Sequence, residues 1–432
     1  MNWPAYAHYV ESNVPWLGAL PAHWATPHLG HITDCLDAVR IPLNAAERAE
    51  VPGDVPYWGA NGVVGSVDRP LVDGELVLLG EDGAPFTDRT REKAFFVNEP
   101  IWPNNHIHVL RPSCGLHPKF LTHALNATDY SWFIEGSTRE KLTQGNMSSI
   151  PIALPPTTEQ RAIVDFLDRE TAKIDALIAK QEQLVATLRE DRSATITQAV
   201  TKGLNSNVEM KDTEVQWMGS VPIHWLVDRI KNSVESARNG IWGSEPDGGV
   251  DDIRCVRVAD FDRPQLAIHD HDVTLRKVTK SERDGRILQN GDLILEKSGG
   301  GDKNPVGFVV LYEAEEPAVC SNFVARVRLA RGQCPKFWTY VHHCLYQSRL
   351  TFPSIKQNTG IQNLDQQSYF NERVAFPPLD EQEQIVGFLD AQCSRVDSLI
   401  AKSNEMIATL REYRSTLITD AVTGKIDVRG VA

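Results

Sequence analysis

Few residues in this chain have the types and the spacing that catalysis requires. The glycine-rich stretch Ser298–Pro305, SGGGDKNP, lacks the Gly-Lys-Ser/Thr ending of a phosphate-binding loop, so a turn is the better interpretation. The sequence contains no G-x-S-x-G nucleophile elbow and no Asn/Asp-Pro-Pro-Tyr element of the kind that adenine methyltransferases use. Glu209 and Lys211 form a Glu-x-Lys pair, but they lie in a linker and do not suggest a nuclease centre. We therefore predict a chain without catalytic residues.

Three histidine pairs invite comparison with a metal site. An H-x-H pair on a strand chelates zinc, but a zinc site needs further ligands within range. Pairs of this kind are more often surface or hydrogen-bonded histidines, so we predict that the chain holds no metal. The pairs are His106 with His108, His269 with His271, and His342 with His343.

Basic residues cluster locally in a chain whose net charge is −13. A protein this acidic binds DNA only where positive charge is concentrated, or where a partner supplies much of it, because phosphate contacts require cations. The alternative for each cluster is an ordinary solvated face, and Trp58 has the alternative of a core position. Our candidate DNA contacts are Trp58, Asn61, Arg89, Arg91, Arg139, Lys141, Arg276, Lys277, Lys280, Arg283, Lys297, Lys303, Lys356, Asn358 and Gln362.

Two loops are the best candidates for base recognition. Gly136–Asn146, GSTREKLTQGN, and Lys356–Gln367, KQNTGIQNLDQQ, hold corresponding positions before two long repeated segments. Both are rich in Arg, Lys, Asn and Gln, the side chains that make bidentate contacts with base edges.

The repeated segments position these candidates. Pro155–Thr201 returns at Pro377–Thr423 without a gap, and 26 of the 47 aligned pairs are identical. Apolar residues recur at three- and four-residue steps in both copies, which predicts a helix from the double proline to Gly203 or Gly424. About 43 helical residues at about 1.5 Å each make a rod of roughly 65 Å.

The apolar stripe of each rod is narrow and heptad-like. Its members in the first copy include Ile163, Ile174 and Leu177, and those in the second include Ile385, Val396 and Leu399. We expect the two rods to bury each other's stripe as an antiparallel coiled coil. The alternative is that each helix packs only on its own globular domain. Thr157 with Gln160 fits a capping box, and Asp380 is a plausible cap of the second copy.

A shorter repeat precedes each globular stretch. VPWLGALPAHW at Val14–Trp24 returns as VQWMGSVPIHW at Val215–Trp225. Strands are predicted within Asp73–Phe86 and His106–Pro112, and again within Asn290–Gly301 and Pro305–Tyr312. Apart from a shared Gly-Asp/Glu-Leu-Val/Ile-Leu, the two globular stretches differ. The chain therefore repeats the lead-in motifs and the long helical segments, whereas the globular stretches between them vary.

This layout resembles the DNA-specificity subunit of type I restriction-modification enzymes. The resemblance rests on the two Trp-rich motifs, on PIALPPTTEQRAIVDFLD and VAFPPLDEQEQIVGFLD, and on the closing AVTGKIDVRG, and it spans nearly the whole chain. It implies an α+β protein with two globular target recognition domains, joined by two long antiparallel helices in a coiled coil with pseudo-two-fold symmetry. The implied domains are 1–154 and 204–376 for recognition, the latter including a linker, with spacer helices at 155–203 and at 377–432, which also holds the tail.

The resemblance also implies partners. Each recognition domain would contact one half of a split, asymmetric site in double-stranded DNA. Two modification subunits carrying S-adenosylmethionine would methylate adenine, and restriction subunits would add ATP- and Mg-dependent translocation and cleavage, while this chain binds no cofactor. Candidate partner contacts are Trp16, Trp24, Pro156, Glu159, Gln160, Trp217, Trp225, Pro378, Glu381 and Gln382. For the tryptophans, packing of the motif onto the helix ends is an equal alternative.

Other features bound the interpretation. Seven cysteines without a C-x-x-C motif, together with no apolar run of membrane-spanning length and no secretory signal, lead us to expect a cytoplasmic protein that contacts no membrane. A different class of function remains open: a coiled-coil scaffold that presents two protein-binding domains. Neighbouring genes for an adenine methyltransferase and a helicase-nuclease would decide between the two. An enzyme that both recognises and methylates DNA is disfavoured by the missing motifs.

Overall fold

The chain forms two units of similar size. The computed structural model describes residues 3–136, 140–301, 303–358 and 360–430, with the backbone alone at Asn358. Unit 1 comprises Met1–Leu184 and Lys402–Ala432, and unit 2 comprises Val185–Ala401. Because the boundaries fall inside the two repeated segments, each unit contains the beginning of one long helix and the end of the other.

Unit 1 is built around a four-stranded antiparallel sheet. Its strands are β1 Tyr9–Glu11, β2 Ala19–Pro21, β3 Thr33–Cys35, β4 Val55–Gly59, β5 Gly62–Val67, β6 Leu76–Gly80, β7 Ala94–Val97, β8 Trp102–Pro103 and β9 Ile107–Pro112. Its short helices are α1 Leu29–Ile32, α2 Ala45–Glu50, α3 Pro118–Ala127 and α4 Gln144–Ser148, and they are followed by the long α5, Thr157–Lys202. The main sheet has the order β3-β9-β6-β7, a smaller one has the order β5-β4-β8, and β1 pairs with β2.

Unit 2 repeats this plan with more strands. The strands are β10 Met210–Asp212, β11 Ser220–Pro222, β12 Leu226–Arg229, β13 Val234–Asn239, β14 Asp252–Val256, β15 Phe261–Asp262, β16 Ala267–Ile268, β17 Leu275–Lys277, β18 Leu293–Glu296, β19 Ser298–Gly299, β20 Val309–Leu311, β21 Ala318–Cys320, β22 Val324–Leu329, β23 Ile355–Asn358, β24 Ile361–Leu364 and β25 Arg373–Phe376. The helices are α6 Lys280–Arg283, α7 Pro335–Gln347, α8 Gln366–Tyr369 and the long α9, Leu379–Val422. The main sheet has the order β13-β22-β18-β20, and smaller sheets have the orders β17-β14-β21 and β19-β24-β23.

A short sequence that the two globular stretches share occupies the same place in both units. Gly-Glu-Leu-Val-Leu leads into β6 and Gly-Asp-Leu-Ile-Leu into β18, and each strand lies inside its main sheet between two antiparallel neighbours. Every residue of both strands is buried, as expected for a strand that is covered on both faces. The strand predictions are thereby confirmed, although the strands are shorter than the predicted stretches.

The two long helices confirm the predicted rods, and within each unit their segments run antiparallel. In unit 1, Arg414 pairs with Asp175 at 2.9 Å and Arg411 with Glu182 at 3.0 Å, so residue numbers fall along α9 as they rise along α5. In the part of the chain that the structure describes, no helix is long and apolar enough to cross a membrane.

Burial along the rods is uneven. Ile163 and Ile174 of α5 join the core of unit 1 together with Ile418 of α9. Leu177 and Leu399, predicted as members of the stripe, are 49% and 42% exposed. That part of the prediction is wrong because paired helices cover only a narrow seam, and residues beside the seam stay in water where no globular domain adds cover.

Candidate functional site

The start of α5 binds the Trp-rich motif of unit 1 through one buried carboxylate. Glu159, 5% exposed, accepts hydrogen bonds from Trp24 Nε1 at 3.2 Å and from the Tyr6 hydroxyl, and it lies 2.8 Å from His23 Nε2. A buried carboxylate is stable only where several donors satisfy it. The Glu of Pro-Pro-x-x-Glu-Gln and the His-Trp ending of the lead-in motif thus form one structural element.

Unit 2 contains the same element. Glu381 at the start of α9 accepts a hydrogen bond from Trp225 Nε1 at 2.8 Å and lies 2.5 Å from His224 Nε2. Trp225 is fully buried. Because the histidine, tryptophan and glutamate come from corresponding positions of the sequence repeats, the repetition extends to individual hydrogen bonds.

The glutamine that follows each glutamate joins two helix starts. Gln160 Oε1 accepts from the backbone N–H of His117 at 2.8 Å, and its Nε2 donates to the Pro155 carbonyl at 2.9 Å. Gln382 makes the same two bonds, with the Cys334 N–H and the Pro377 carbonyl, both at 2.9 Å. His117 and Cys334 are the residues before α3 and α7, so the side chain satisfies one of the free N–H groups at each helix start.

The capping interactions predicted from sequence are not those that form. Thr157 and Asp380 lie within the first turn of their helices, and the Thr157 hydroxyl donates to the Gly115 carbonyl at 2.9 Å. The prediction is wrong because the long-range bonds of Gln160 replace the local capping box.

A lysine ties the far end of the other helix to the same motif. Lys202, the last residue of α5, donates to the carbonyls of Met218 and Ser220 in unit 2. In unit 1, Lys425 after α9 donates to the equivalent carbonyls, those of Leu17 at 3.1 Å and Ala19 at 2.6 Å.

This equivalence is hidden in the sequence. The first repeat ends in Lys-Gly and the second in Gly-Lys, at 202–203 and 424–425. We use the term clasp for the glutamate, glutamine and lysine together with the lead-in motif that they hold. Each unit has one clasp, which joins the start of one long helix to the end of the other.

The predicted basic cluster of unit 2 is largely neutralised. Lys277 pairs with Asp247 at 2.6 Å, and Arg283 with Asp251 at 3.4 Å. Arg276 forms an ion pair with Glu245 and is 7% exposed. The acids that pair with these cations lie about 30 residues earlier in the sequence, and antiparallel pairing of β14 with β17 brings them alongside. Such pairs near the surface are weak, so phosphates can compete for the cations.

The remaining unit 2 candidates lie in different environments. Lys280 and Lys303 are exposed, Lys297 donates to Asn239 Oδ1 at 2.6 Å, and Lys356 pairs with Asp365 at 2.7 Å. Lys356–Gln367 contains the β23–β24 hairpin, in which exposed and buried residues alternate along β24.

The side chain of Gln362 points into unit 2. It is 6% exposed and accepts from the Val306 N–H at 3.3 Å, whereas the neighbouring Asn363 is exposed. Asn363 therefore offers the amide at the surface of this hairpin.

In unit 1 the candidates are also spread apart. The ring of Trp58 packs against Phe95 at 5.4 Å between centroids, and Asn61 donates to the Gly83 carbonyl at 2.9 Å. Arg89 and Arg91 are exposed, and Arg139 lies outside the described residues.

Lys141 belongs to a compact charged network. It lies 3.0 Å from Glu81, which also pairs with Arg40, while Asp37 lies 2.6 Å from Nδ1 of the buried His108. The possible ligand atoms of Asp37, Glu81 and His108 lie within 4.8 Å of one another. Two cationic side chains already neutralise these carboxylates, so the network is better explained as structural than as a metal site.

The histidine pairs are held by different partners. His106 contacts Asp82, whereas His108, two positions further along the chain, contacts Asp37. Burial lowers the pKa of both His342 and His343, on α7, to about 4. Neither of these two histidine pairs therefore has the contacts expected of a zinc ligand set.

Comparison with known proteins gives a consistent result. Residues 21–186 match the family model of the type I restriction modification DNA specificity domain. The matched residues cover most of the first globular stretch and the beginning of α5. It is 24% identical over 362 residues to a Haemophilus influenzae protein assigned as a type I restriction enzyme specificity subunit, S.HindORF215P, covering 84% of this chain and 86% of that protein.

Two further relatives extend the comparison. The EcoKI specificity subunit of Escherichia coli is 22% identical over 330 residues, covering 74% of this chain and 68% of its own length. A solved chain from work on complex assembly and conformational transition of the type I R-M system has a TM-score of 0.66 at 14% identity, covering 96% of this chain and 99% of that one. The latter shows that the fold is shared.

The predicted partner contacts mostly form bonds within their own units. Five of them are buried: Trp24, Glu159, Gln160, Trp225 and Gln382. Pro156 and Pro378 are exposed, and Trp217 Nε1 donates to the Arg373 carbonyl at 3.3 Å. The Trp16 indole is half-buried, with its Nε1 out of contact with solvent. Docking to partner subunits at these residues stays a prediction.

Proposed function

We propose that this chain recognises a split, asymmetric site in double-stranded DNA, with one half-site for each unit. The observation that supports this proposal is the pair of clasps. The same hydrogen bonds hold a lead-in motif, a sheet and two helix ends in each unit, while the strands between them differ in number and sequence. Because the clasps and long helices are repeated while the strands between them differ, the chain suits two different half-sites better than a palindrome.

We also propose that two adenine-methylating modification subunits dock on the chain, and that restriction subunits join through them. These partners would carry S-adenosylmethionine, ATP and Mg. The charge of −13 supports the proposal, because a chain this acidic needs partners to surround DNA with positive charge. Residues 1–154 and 204–376 would then be the recognition domains and the long helices the spacer that fixes the distance between half-sites.

Reconstitution with the modification subunits tests this function. We expect weak DNA binding by the chain alone, and sequence-specific binding with adenine methylation in each half of a split site by the complex. The methylated sites are mapped by sequencing of the modified DNA. Replacing residues 204–376 by the corresponding segment of a relative should change one half-site and keep the other. Simultaneous change of both half-sites would contradict the assignment of one half-site to each unit.

A further inference from the structure

Unit 2 contains an open cavity of about 410 Å³ whose walls are aromatic and polar. We call it the Trp242 cavity. The volume falls within the usual range for small-molecule sites. The residues that matter for its chemistry are Trp242, Arg257, Glu296, Ser298, Asn322 and Phe323.

Two large aromatic side chains of this cavity remain exposed to solvent. Trp242 is 39% and Phe323 is 47% exposed. The Arg276 guanidinium lies 4.4 Å from the Trp242 ring centroid, and its Nε donates to the Trp242 carbonyl at 3.1 Å. The indole is therefore held in place before any ligand arrives, which reduces the entropy lost on binding. Exposed aromatics held in this way act as stacking platforms for planar ligands.

The polar groups of the cavity include both signs of charge. Glu296 is 1% exposed and accepts from Arg263 Nη2 at 2.8 Å, and burial raises the pKa of its carboxyl. Arg257 is held by Asp260, with 2.7 Å between Nη2 and Oδ1. A mixture of donors and acceptors between aromatic rings matches the edge of a nucleobase.

The backbone also leaves room for a flat ring. Gly299, in the cavity wall, has φ +111°, and no atom lies within 4 Å of the position that a Cβ would take. Glycine at such a position permits close approach of a ligand to the backbone.

The cavity wall adjoins the hairpin that the sequence singles out for base contacts. Ser298 and Gly299 form β19, which pairs with β24 of that hairpin. The Ser298 hydroxyl donates to Asn363 Oδ1 at 2.7 Å. A ligand in the cavity would therefore lie next to exposed polar groups of the hairpin.

We propose that the Trp242 cavity binds one nucleobase of the half-site recognised by unit 2, stacked on Trp242 or Phe323, and so determines part of the sequence specificity. This inference rests on the proposed function, because it takes DNA as the ligand of unit 2. The carboxylate of Glu296 makes a base with an exocyclic amine, adenine or cytosine, the expected occupant.

Photocrosslinking locates the base. The complex with modification subunits is irradiated on duplexes that carry 5-iodouracil or 5-iodocytosine at one pyrimidine at a time, on both strands, and crosslinked peptides are identified by mass spectrometry. We expect a crosslink to Trp242 or Phe323 from one half-site. The crosslinking pyrimidine should be the bound base itself or a direct neighbour of the bound adenine or cytosine. Crosslinks to other parts of unit 2 without any to these two residues would overturn the proposal.

Substitutions test the energetic role. Trp242→Ala should weaken specific binding about 5- to 160-fold, the range that loss of one stacked base gives, and relax the base preference at one position. Trp242→Phe should restore part of the preference. The matched control is Phe352→Ala, which removes another exposed aromatic of unit 2, 43% exposed with Arg349 5.5 Å from its ring, outside the cavity.

The outcomes separate this inference from the proposed function. If the wild-type complex shows no sequence-specific binding, the proposed function fails. The second case is that the wild-type complex binds specifically and that thermal unfolding shows Trp242→Ala to be folded. If this variant then keeps the wild-type affinity and methylation pattern, the cavity inference alone fails. Equal loss of preference in Phe352→Ala would also refute a role particular to the cavity.

Discussion

Glu159 accepts a hydrogen bond from Trp24, although 135 residues separate the two in the chain. Glu381 and Trp225 repeat this bond in unit 2 with a separation of 156 residues. In each unit this bond connects the lead-in motif to the start of a long helix. Its loss should therefore loosen the lead-in motif before it affects the sheets.

Replacement of the buried glutamate tests this role. Glu159→Gln leaves fewer acceptor sites for Trp24, Tyr6 and His23 and should lower the free energy of unfolding by about 1.5–3 kcal/mol, the usual value of bonds to a charged group. Glu381→Gln should cost less, because the Glu381 side chain is 31% exposed and retains access to water. Hydrogen exchange of the lead-in amides, measured unit by unit, checks both.

A control comes from the same helix. Glu190→Gln removes a charge at an exposed position of α5 and should leave exchange unchanged in both units. Faster exchange spread evenly over both units after Glu159→Gln would argue against a local clasp.

The glycine after each long helix gives a second prediction. Gly424 has φ +67°, and a Cβ there would lie 2.4 Å from Pro21 Cδ, so Gly424→Ala should destabilise unit 1 strongly. Gly203→Ala should cost less, because its nearest atom, on Trp225, is 3.1 Å away. Gly145→Ala, in α4 with no atom within 4 Å of the added Cβ, is the control and should be neutral or slightly stabilising. Thermal unfolding ranks the stabilities of the three variants. An equal loss of stability in Gly424→Ala and Gly145→Ala would exclude the steric explanation.

The sequence predicts the long helices and the inner strands better than the side-chain contacts of the candidate site. Periodicity and repeat length place both rods, and Gly-Asp/Glu-Leu-Val/Ile-Leu marks the inner strands. The Lys-Gly and Gly-Lys endings give no hint that Lys202 and Lys425 bind equivalent carbonyls, because linear alignment puts each lysine opposite a glycine. Tertiary contacts also decide which charges are free. Side-chain identity is local, whereas neutralisation depends on which strands become neighbours.

A pH prediction follows from the charged network of unit 1. Burial by itself would raise the pKa of Asp37, but the hydrogen bond and charge of His108, the Val109 N–H and Arg40 outweigh it, so the pKa lies below its usual value of 3.8. A depressed pKa contributes stability above the unfolded value, and that stability is lost as the pH falls through the folded value.

Asp37→Asn should therefore be less stable than wild type at neutral pH, with the difference shrinking below about pH 4 as the wild-type carboxyl becomes protonated. Denaturant unfolding at a series of pH values measures the difference. Asp34→Asn, an exposed carboxylate three residues earlier, is the control. A difference that stays constant down to pH 2 would assign the effect to packing rather than charge.

The two neighbouring residues of the β23–β24 hairpin should differ in effect. Asn363→Ala removes an exposed amide and should alter the base preference of one half-site without changing the melting temperature. Gln362→Ala leaves the buried Val306 N–H without its acceptor and should lower stability by about 1–3 kcal/mol. Methylation mapping measures the base preference of both variants, and thermal unfolding measures their stability. The reverse pattern would mean that the alternation of β24 does not determine which side chain meets DNA.

The ion pairs of unit 2 give a prediction about salt. Lys277 and Arg283 are held by Asp247 and Asp251, so Asp247→Asn and Asp251→Asn should free both cations to contact phosphates. Each new phosphate contact steepens the dependence of log K on log salt by about 0.9. We expect the assembled complex to bind non-specific duplex DNA more tightly at low salt, with a steeper slope and an unchanged methylation pattern. The control Asp228→Asn removes an exposed charge elsewhere in unit 2. If that variant steepens the slope equally, the gain reflects net charge alone, and the freed cations do not lie against the DNA.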